Sequence, residues 1–505
     1  MFHNLFSGLA LIMSWQSLLG IAFAVVFGII VGAIPGLTSN MALAIGVPLT
    51  FGIDPLIGIP FLLALYSSST YGGSISAILL NTPGTPAAAA TVLDGYPLTQ
   101  QGKGGKALRM ALYASVIADL FSDFVLIAVS APLARVAMRF GPAEFAMLLL
   151  FSLTFTGGLA GKSMVKGLVS VLLGLLFATV GLDIMTAQPR FCFGIHHLSA
   201  GFSFIPVLIG IFTLSEVFIQ VEKKVVNGPK TNEVIIADSK DNRVSKAEMK
   251  ACAMPIAVGS VIGTFLGALP GIGGSAACFI GYGAARSLSK NQEEWGNGAL
   301  EGIAAAESTN NAICGANLVP LLSLGIPGNS AAALLGAALM IQGITPGPGI
   351  FAQHGSVIYA IFAAMILSKL VLLLVAPPFI NVAQKAVSVS NAILFPVIVG
   401  LSFVGAFAIN NSMFDILVTI GFGVLGYFMR KFSFPTAPFV IAFLLGPMFE
   451  RSFRQALMIS RGNLSVFIQR PLALCFLILT VLSIAMIAMQ RSRQRQRLGE
   501  AKTAG

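Results

Sequence analysis

The chain has 505 residues, of which 56% are hydrophobic and 10% charged, with a formal net charge of +11 and a mean hydropathy of +0.89. A soluble domain carries roughly a quarter charged residues, so a normal water-facing surface is excluded. Five cysteines without any CxxC spacing suggest neither a disulfide frame nor a metal site.

Apolar runs long enough to cross a bilayer recur along the chain, starting with Ala10–Ile34, then Val357–Ala376 and Pro471–Met489. The first lacks a basic n-region and a small-residue cleavage site, so it reads as a retained helix. It ends in GAIPGL (Gly32–Leu37). Further on, Ser74 and Ser76 precede NTPGTPAAA (Asn81–Ala89), and the basic stretch GKGGK (Gly102–Lys106) follows. That stretch lacks the GxxxxGK[ST] pattern and follows no strand, so it reads as a cytoplasmic loop, not a phosphate cradle. Asp119 and Asp123 come next, at i, i+4 on a span, where they either line a pathway or lie at its exposed end. His196 and His197 have no acidic or cysteine partner nearby and read as a loop.

The longest polar stretch, Lys223–Lys250, holds seven Lys or Arg. After it come GALPGI (Gly267–Ile272), then LEGIAAAESTNNAICG (Leu300–Gly315), then GIPGNSAAA (Gly325–Ala333). The chain ends in the basic tail RSRQRQR (Arg491–Arg497). Basic clusters flanking apolar spans mark cytoplasmic loops; nucleic acid is not an expected partner.

These words repeat. GAIPGL returns as GALPGI, shifted by 235 positions (from 32 to 267), and NTPGTPAAA returns as GIPGNSAAA, shifted by 244 (from 81 to 325). Like signposts in like order imply an internal duplication. No Lys or Arg precedes Lys103, whereas Lys103, Lys106 and Arg109 follow the first copy. The second copy is preceded by the basic loop and followed by TPGPGIFAQHG, which has none. The two copies are thus expected to enter the membrane from opposite sides, the inverted-repeat arrangement of secondary transporters. Arg451, Arg454, Arg461 and Arg470 fit this scheme only if Ala437–Phe449 dips into the bilayer without crossing. The expected architecture is all-α and polytopic, with inverted repeats, broken helices and re-entrant hairpins. Its parts are 1–220, a cytoplasmic loop 221–250, a second half 251–490 and a tail 491–505.

Proline removes a backbone donor, and freed backbone groups at membrane depth are tolerated only where protein or a watery cavity satisfies them. Pro83-Gly84 and Pro327-Gly328 are therefore expected to interrupt helices beside a cavity, with Pro35-Gly36 and Pro270-Gly271 as turns of accompanying hairpins. Thr85, or Asn329 or Ser330 in the second copy, caps the helix that restarts. Two fresh helix N-termini make an anion site without buried Arg or Lys. Ser74, Ser76, Asn81, Thr82, Gly84, Thr85, Gly328, Asn329 and Ser330 are its candidate lining. Glu307, Asn310 and Asn311 share one helical face; Asn310 and Asn311 join the substrate-binding lining, and Glu307 is the candidate for binding a coupling Na⁺ or H⁺, unless it sits at the interface and merely caps or pairs. Glu301 points elsewhere. Besides a transporter, a passive anion channel would use the same dipoles. An enzyme is not expected, since no nucleophile–base pair is evident.

Three segments carry a family resemblance: Tyr71–Leu98, Leu269–Lys290 and Glu301–Phe351. They closely resemble the large permease subunit of the tripartite tricarboxylate transporters, the TctA type, over about Gly20 to Arg470. The resemblance implies an ion-driven symporter for a carboxylate such as citrate in a bacterial inner membrane. It also implies two partners, a small four-helix membrane subunit (TctB type) and a periplasmic solute-binding protein (TctC type), and no cofactor beyond the coupling ion. Where the family usually writes Pro-Glu-Ala-Ala-Asn-Asn, this chain has AESTNN, with Ala306 in place of the proline.

Overall fold

The structure is a computed structural model that describes residues 2–159, 163–227, 242–271, 274–386 and 391–485. The basic tail, Lys162 and the middle of the polar loop lie outside the described residues.

The chain is helical nearly throughout. In order, the helices are α1 (Phe2–Ile12), α2 (Trp15–Ala33), α3 (Ser39–Leu49), α4 (Pro55–Leu80), α5 (Ala89–Gln100), α6 (Gly104–Ala137), α7 (Pro142–Leu159), α8 (Met164–Ala178), α9 (Phe204–Leu208) and α10 (Ser215–Asn227). Then come α11 (Lys246–Gly267), α12 (Gly274–Leu288), α13 (Leu300–Ala316), α14 (Leu318–Leu324), α15 (Ser330–Ile341), α16 (Ile350–Gln353), α17 (Gly355–Ala386), α18 (Asn391–Asn410), α19 (Met413–Lys431), α20 (Thr436–Ile459) and α21 (Val466–Gln469). A two-residue antiparallel ladder pairs Gly181–Leu182 with Pro189–Arg190. Among the described residues, 6 helices are long and apolar enough to span a membrane: Trp15–Ala33, Gly104–Ala137, Phe204–Glu222 (α9 and α10 joined by the π-helical stretch Ile209–Leu214), Lys246–Gly267, Gly355–Ile380 and Met413–Lys431. The chain is therefore a multi-pass membrane protein.

The polar residues at helix starts explain several boundaries. The first apolar run is not one helix: it breaks at Met13–Ser14, where Ser14 accepts a hydrogen bond from the Ser17 amide and restarts the chain as α2. Thr38 caps α3 in the same way, Asp54 caps α4, and Ser245 with Glu248 forms a capping box on α11. The His196–His197 pair lies in a short 3-10 helix, His196–Ala200.

The chain divides into two compact units, residues 1–135 with 204–427, and residues 136–203 with 428–505. In the second unit α20 packs on α7 and α8, and a Cβ at Gly174 would meet the Phe439 carbonyl at 2.2 Å, which shows how closely those helices approach. Asp183, Arg190, Glu450 and Arg454 form an ion-pair network there, with Arg454 2.7 Å from Asp183 and 2.8 Å from Glu450. Arg454 thus has two carboxylate partners.

The first unit contains both candidate breaks. Helix α4 packs on α2, and α13 packs on α11. Every residue of α4 from Gly58 to Leu79, and every residue of α13 from Gly302 to Ala316, is buried. Helices buried on all faces carry no amphipathic stripe, which is why their Ser, Thr, Asn and Glu residues stand out as unusual. Close packing rests on glycines at matching positions. A Cβ at Gly28 would meet Ser68 and Leu65, and one at Gly32 would meet Ser69 and Gly72. In the second copy Gly263 faces Thr309 and Ala312, and Gly267 faces Ile313 and Ala316. The α2-to-α11 shift is 235 positions (28 to 263, 32 to 267) and the α4-to-α13 shift is 244 (65 to 309, 72 to 316), the same two shifts that relate the repeated words.

Candidate functional site

Helix α4 ends at Asn81, in the left-handed conformation with φ 55°, and α14 ends at Gly325, also left-handed with φ 76°. These are equivalent positions, and the choice of Asn and Gly reflects the two residues that enter that region most readily. The Pro-Gly pairs follow within three residues, and each break is closed against its own repeat. A Cβ at Gly84 would meet the Gly32 carbonyl at 2.6 Å and Gly73 Cα at 2.8 Å, while one at Gly328 would meet Asn317 Cβ at 2.9 Å. Residues 73 and 317 are again equivalent.

Both restarts are capped. Thr85 accepts from the Ala88 amide at 3.3 Å, with Pro86 as the first helical residue of a short 3-10 turn that leads into α5. Asn329 Oδ1 accepts from the Ala332 amide at 2.9 Å at the start of α15. Asn329, not Ser330, is the cap. Ser330 instead accepts from Asn40 Nδ2 at 2.9 Å, which ties the second break to α3 of the first repeat. In the other direction a Cβ at Gly274 on α12 would meet Ala87 Cβ at 3.4 Å, so the first break adjoins a helix of the second repeat. The turns at Pro35-Gly36 and Pro270-Gly271 connect α2 to α3 and α11 to α12, with Gly36 and Gly271 at φ 90° and 88°, and the Gly271 amide donates to the Gly328 carbonyl at 3.0 Å.

The repeats meet where α4 touches α13. Cys314 Sγ lies 3.6 Å from Thr70 Oγ1, and these two positions are equivalent in the repeat. The Tyr66 hydroxyl on α4 accepts from Asn317 Nδ2 at 2.8 Å and from Asn329 Nδ2 at 3.3 Å. Glu307 is fully buried. Thr91 of α5 donates to its Oε1, and Ser115 of α6 donates to Oε2 at 3.2 Å while accepting from Asn311 Nδ2 at 2.7 Å. Ser74 adjoins the same carboxylate without completing a hydrogen bond. Four buried polar atoms around the breaks have no partner: Ser74 Oγ, Asn310 Nδ2, Asn311 Oδ1 and Asn317 Oδ1. Buried polar groups in native proteins are nearly always satisfied, so these unfilled atoms are candidates for a polar ligand; Asn317 adjoins the second restart through Tyr66 and Gly328.

Not every candidate faces this place. Asn81 is exposed and its conformation serves the α4 cap. The Thr82 hydroxyl returns to the Leu80 carbonyl at 3.1 Å, and that of Ser76 to the Gly73 carbonyl at 3.3 Å. Glu301 is half-buried and bonded to Ser289.

Several functional positions escape a reading by local pattern. Asp94 is fully buried, and its Oδ1 accepts the amides of Gly296, Gly298 and Ala299 at 2.8, 3.0 and 2.8 Å. It thereby caps α13 from a distant part of the chain, since Ala299 offers no side-chain cap of its own, and its Oδ2 accepts from the Tyr282 hydroxyl at 2.8 Å. Asp119 and Asp123 are wholly buried and paired with Lys369 of α17 at 3.7 and 3.0 Å. Exposure at a helix end is thereby corrected: the two acids have a buried cation partner, and Lys369 sat unremarked inside the apolar run Val357–Ala376. A lone lysine in such a run was the available signal.

Residues 18–441 match the Tripartite tricarboxylate transporter TctA family. The chain belongs to the TctA family. It is 35% identical over 472 residues, 93% of each chain, to an Agrobacterium vitis protein named "Uncharacterized 52.8 kDa protein in TAR-I ttuC' 3'region". It is also 37% identical over 234 residues, 46% of this chain and 97% of the other, to that species' "Uncharacterized protein in TAR-II ttuC' 3'region". As a TctA-family member it is a component of a tripartite tricarboxylate transporter that works with other subunits.

Proposed function

We propose that this chain is the permease through which an organic carboxylate crosses a bacterial inner membrane by ion-driven symport. A small membrane subunit and a periplasmic binding protein would be its partners. The observation that carries the reading is the pair of interrupted helices. Each ends in a left-handed cap and each restarts behind a side-chain cap, and buried atoms of Ser74, Asn310, Asn311 and Asn317 on the helices before them lack hydrogen-bond partners.

In this reading the free amides behind Thr85 and Asn329 hold the substrate carboxylates, because helix starts present N–H groups and about half a positive charge. Asn310, Asn311 and Ser74 add donors and acceptors, and Gly84 and Gly328 allow the backbone to approach. Glu307 supplies the coupling charge. Among the described residues its carboxylate is held by hydroxyls at Thr91 and Ser115 and not by a cation, and buried charge without a partner is costly.

The halves 1–220 and 251–490 are taken as oppositely inserted repeats, with the two Pro-Gly turns belonging to re-entrant hairpins. Loop charge supports the inversion, and so does the contact between equivalent residues Thr70 and Cys314, which is what a two-fold relation places on its axis.

The test is uptake of a panel of di- and tricarboxylates by proteoliposomes holding the chain, its small partner and the cognate binding protein. Accumulation above the outside concentration under an imposed Na⁺ or pH gradient supports symport. Equilibration that stops at equal concentrations means a passive anion channel.

A further inference from the structure

Helix α6 presents Ser115, Asp119 and Asp123 at successive i, i+4 steps, one face of a helix. Helix α13 presents Glu307, Asn311 and Gly315 with the same spacing. The two rows meet. Ser115 bonds both Glu307 and Asn311, and a Cβ at Gly315 would lie 2.6 Å from Ser122 Oγ and 2.7 Å from Asp123 Oδ1. The result is one polar seam about 12 Å long, at 1.5 Å rise per residue, with Glu307 near one end and the Asp119–Asp123–Lys369 cluster at the other.

That cluster does not balance. Lys369 Nζ is 3.0 Å from Asp123 and 3.7 Å from Asp119, and all three side chains are 1–2% exposed. Two carboxylates against one ammonium leave a net charge of −1 in the interior of candidate spans Gly104–Ala137 and Gly355–Ile380. Among the described residues Lys369 is the cation set against the two acids: α4 contributes the Ser67 hydroxyl, which donates to Asp119 Oδ2, and Tyr66, while α13 contributes Cys314. Asp119 Oδ1 and Asp123 Oδ1 have no hydrogen-bond partner. An uncompensated buried charge costs several kcal/mol, and a proton on either acid removes it while giving an unpartnered oxygen a hydrogen to share. A metal cation fits poorly, because the Lys369 ammonium already occupies the space against both carboxylates at 3.0 and 3.7 Å.

We propose that Asp119, Asp123 and Lys369 form a proton-binding centre that holds one exchangeable proton, joined by the α6–α13 seam to Glu307. The centre names H⁺ as the coupling ion of the symport reading and rests on that reading for its purpose. Its proton occupancy is measurable without any substrate.

The experiment uses the purified full-length chain carrying Glu307→Gln, so that this carboxyl is silent, in phosphatidylethanolamine/phosphatidylglycerol vesicles. Infrared difference spectra between acid and alkaline buffer report the carbonyl stretch of buried protonated carboxyl groups. One such band is expected. Adding Asp123→Asn leaves the balanced pair Asp119–Lys369, and adding Asp119→Asn leaves Asp123–Lys369, so each variant keeps a neutral and insertable core and each loses the band. Adding Lys369→Gln leaves two carboxylates with no cation and raises the band about twofold, since both acids must then be neutral. A parent without the band, or a band unchanged in both Asp→Asn variants, overturns the proposal. If the spectra behave as expected while no panel carboxylate is taken up, the proton centre stands and the transport reading falls.

Discussion

The first break and the second share a backbone and differ in side chains. Left-handed caps at Asn81 and Gly325, Pro-Gly pairs, capped restarts at Thr85 and Asn329, and glycine contacts at Gly32 and Gly267 recur at fixed shifts. Yet where α13 carries Glu307, Asn310, Asn311 and Asn317, the equivalent positions of α4 are Leu63, Tyr66, Ser67 and Gly73. The recurring positions thus mark where the chain breaks, and the side chains that differ mark which half carries the charge. Some of the first repeat's polar groups serve the second: Tyr66 receives Asn317 and Asn329, and Thr91 holds Glu307.

The largest effects should come from the shared backbone, and should be equal in the two copies. Gly28→Leu and Gly263→Leu, at equivalent positions, would each push a side chain into a carbonyl, that of Leu65 at 2.9 Å and of Thr309 at 2.4 Å already from Cβ alone. Both are expected to lose folded protein, read as the monodisperse fraction on size exclusion. A large loss in one copy only would break the equivalence. Next come Gly84→Leu and Gly328→Leu, which strike the interruptions themselves. Overpacking costs about 1–3 kcal/mol, so inserted protein should survive while uptake is abolished. Wild-type uptake by both variants would remove the breaks from the substrate path.

The side-chain differences should then separate the copies. Glu307→Gln is expected to stop accumulation against a gradient while exchange of labelled for unlabelled substrate continues, whereas Leu63→Gln at the equivalent position should leave accumulation ion-dependent. Unchanged ion dependence in Glu307→Gln would cancel its coupling role. The caps follow. Thr85→Ala and Asn329→Ala each lose an N-cap worth about 1 kcal/mol, roughly fivefold in apparent affinity. The Asn329 change should be the worse of the two, because Asn329 also donates to Tyr66. The smallest effect belongs to Asn81→Gly, which keeps the left-handed cap and removes an exposed amide. Near-normal uptake is expected, and its loss would return Asn81 to the substrate-binding set.

How far the sequence could be read follows from the range of the interactions involved. Pro83-Gly84 and Pro327-Gly328 announce themselves, because Pro and Gly act on their own backbone, and the caps at Thr85 and Asn329 are local for the same reason. The interruption at Ser14 is equally local but hides in an apolar run, where a single serine is easily passed over. Asp94 was not legible as a cap, since the helix start it serves lies some two hundred positions away and its partners are backbone amides without sequence identity. The pairing of Asp119 and Asp123 with Lys369 is likewise a matter of which spans become neighbours. Charge balance at membrane depth would have demanded some partner without saying which. Asn81 stands in NTPG as a candidate ligand by its amide, and its φ adds a conformational use that the sequence does not announce.

The most direct measurement of the shared-site claim is a structure determined with the transported carboxylate bound. The account predicts ligand carboxylate oxygens within hydrogen-bond distance of the amides that follow both Thr85 and Asn329, with Asn310 or Asn311 completing the shell. Ligand density that touches only one of the two restarts, or neither, would contradict it.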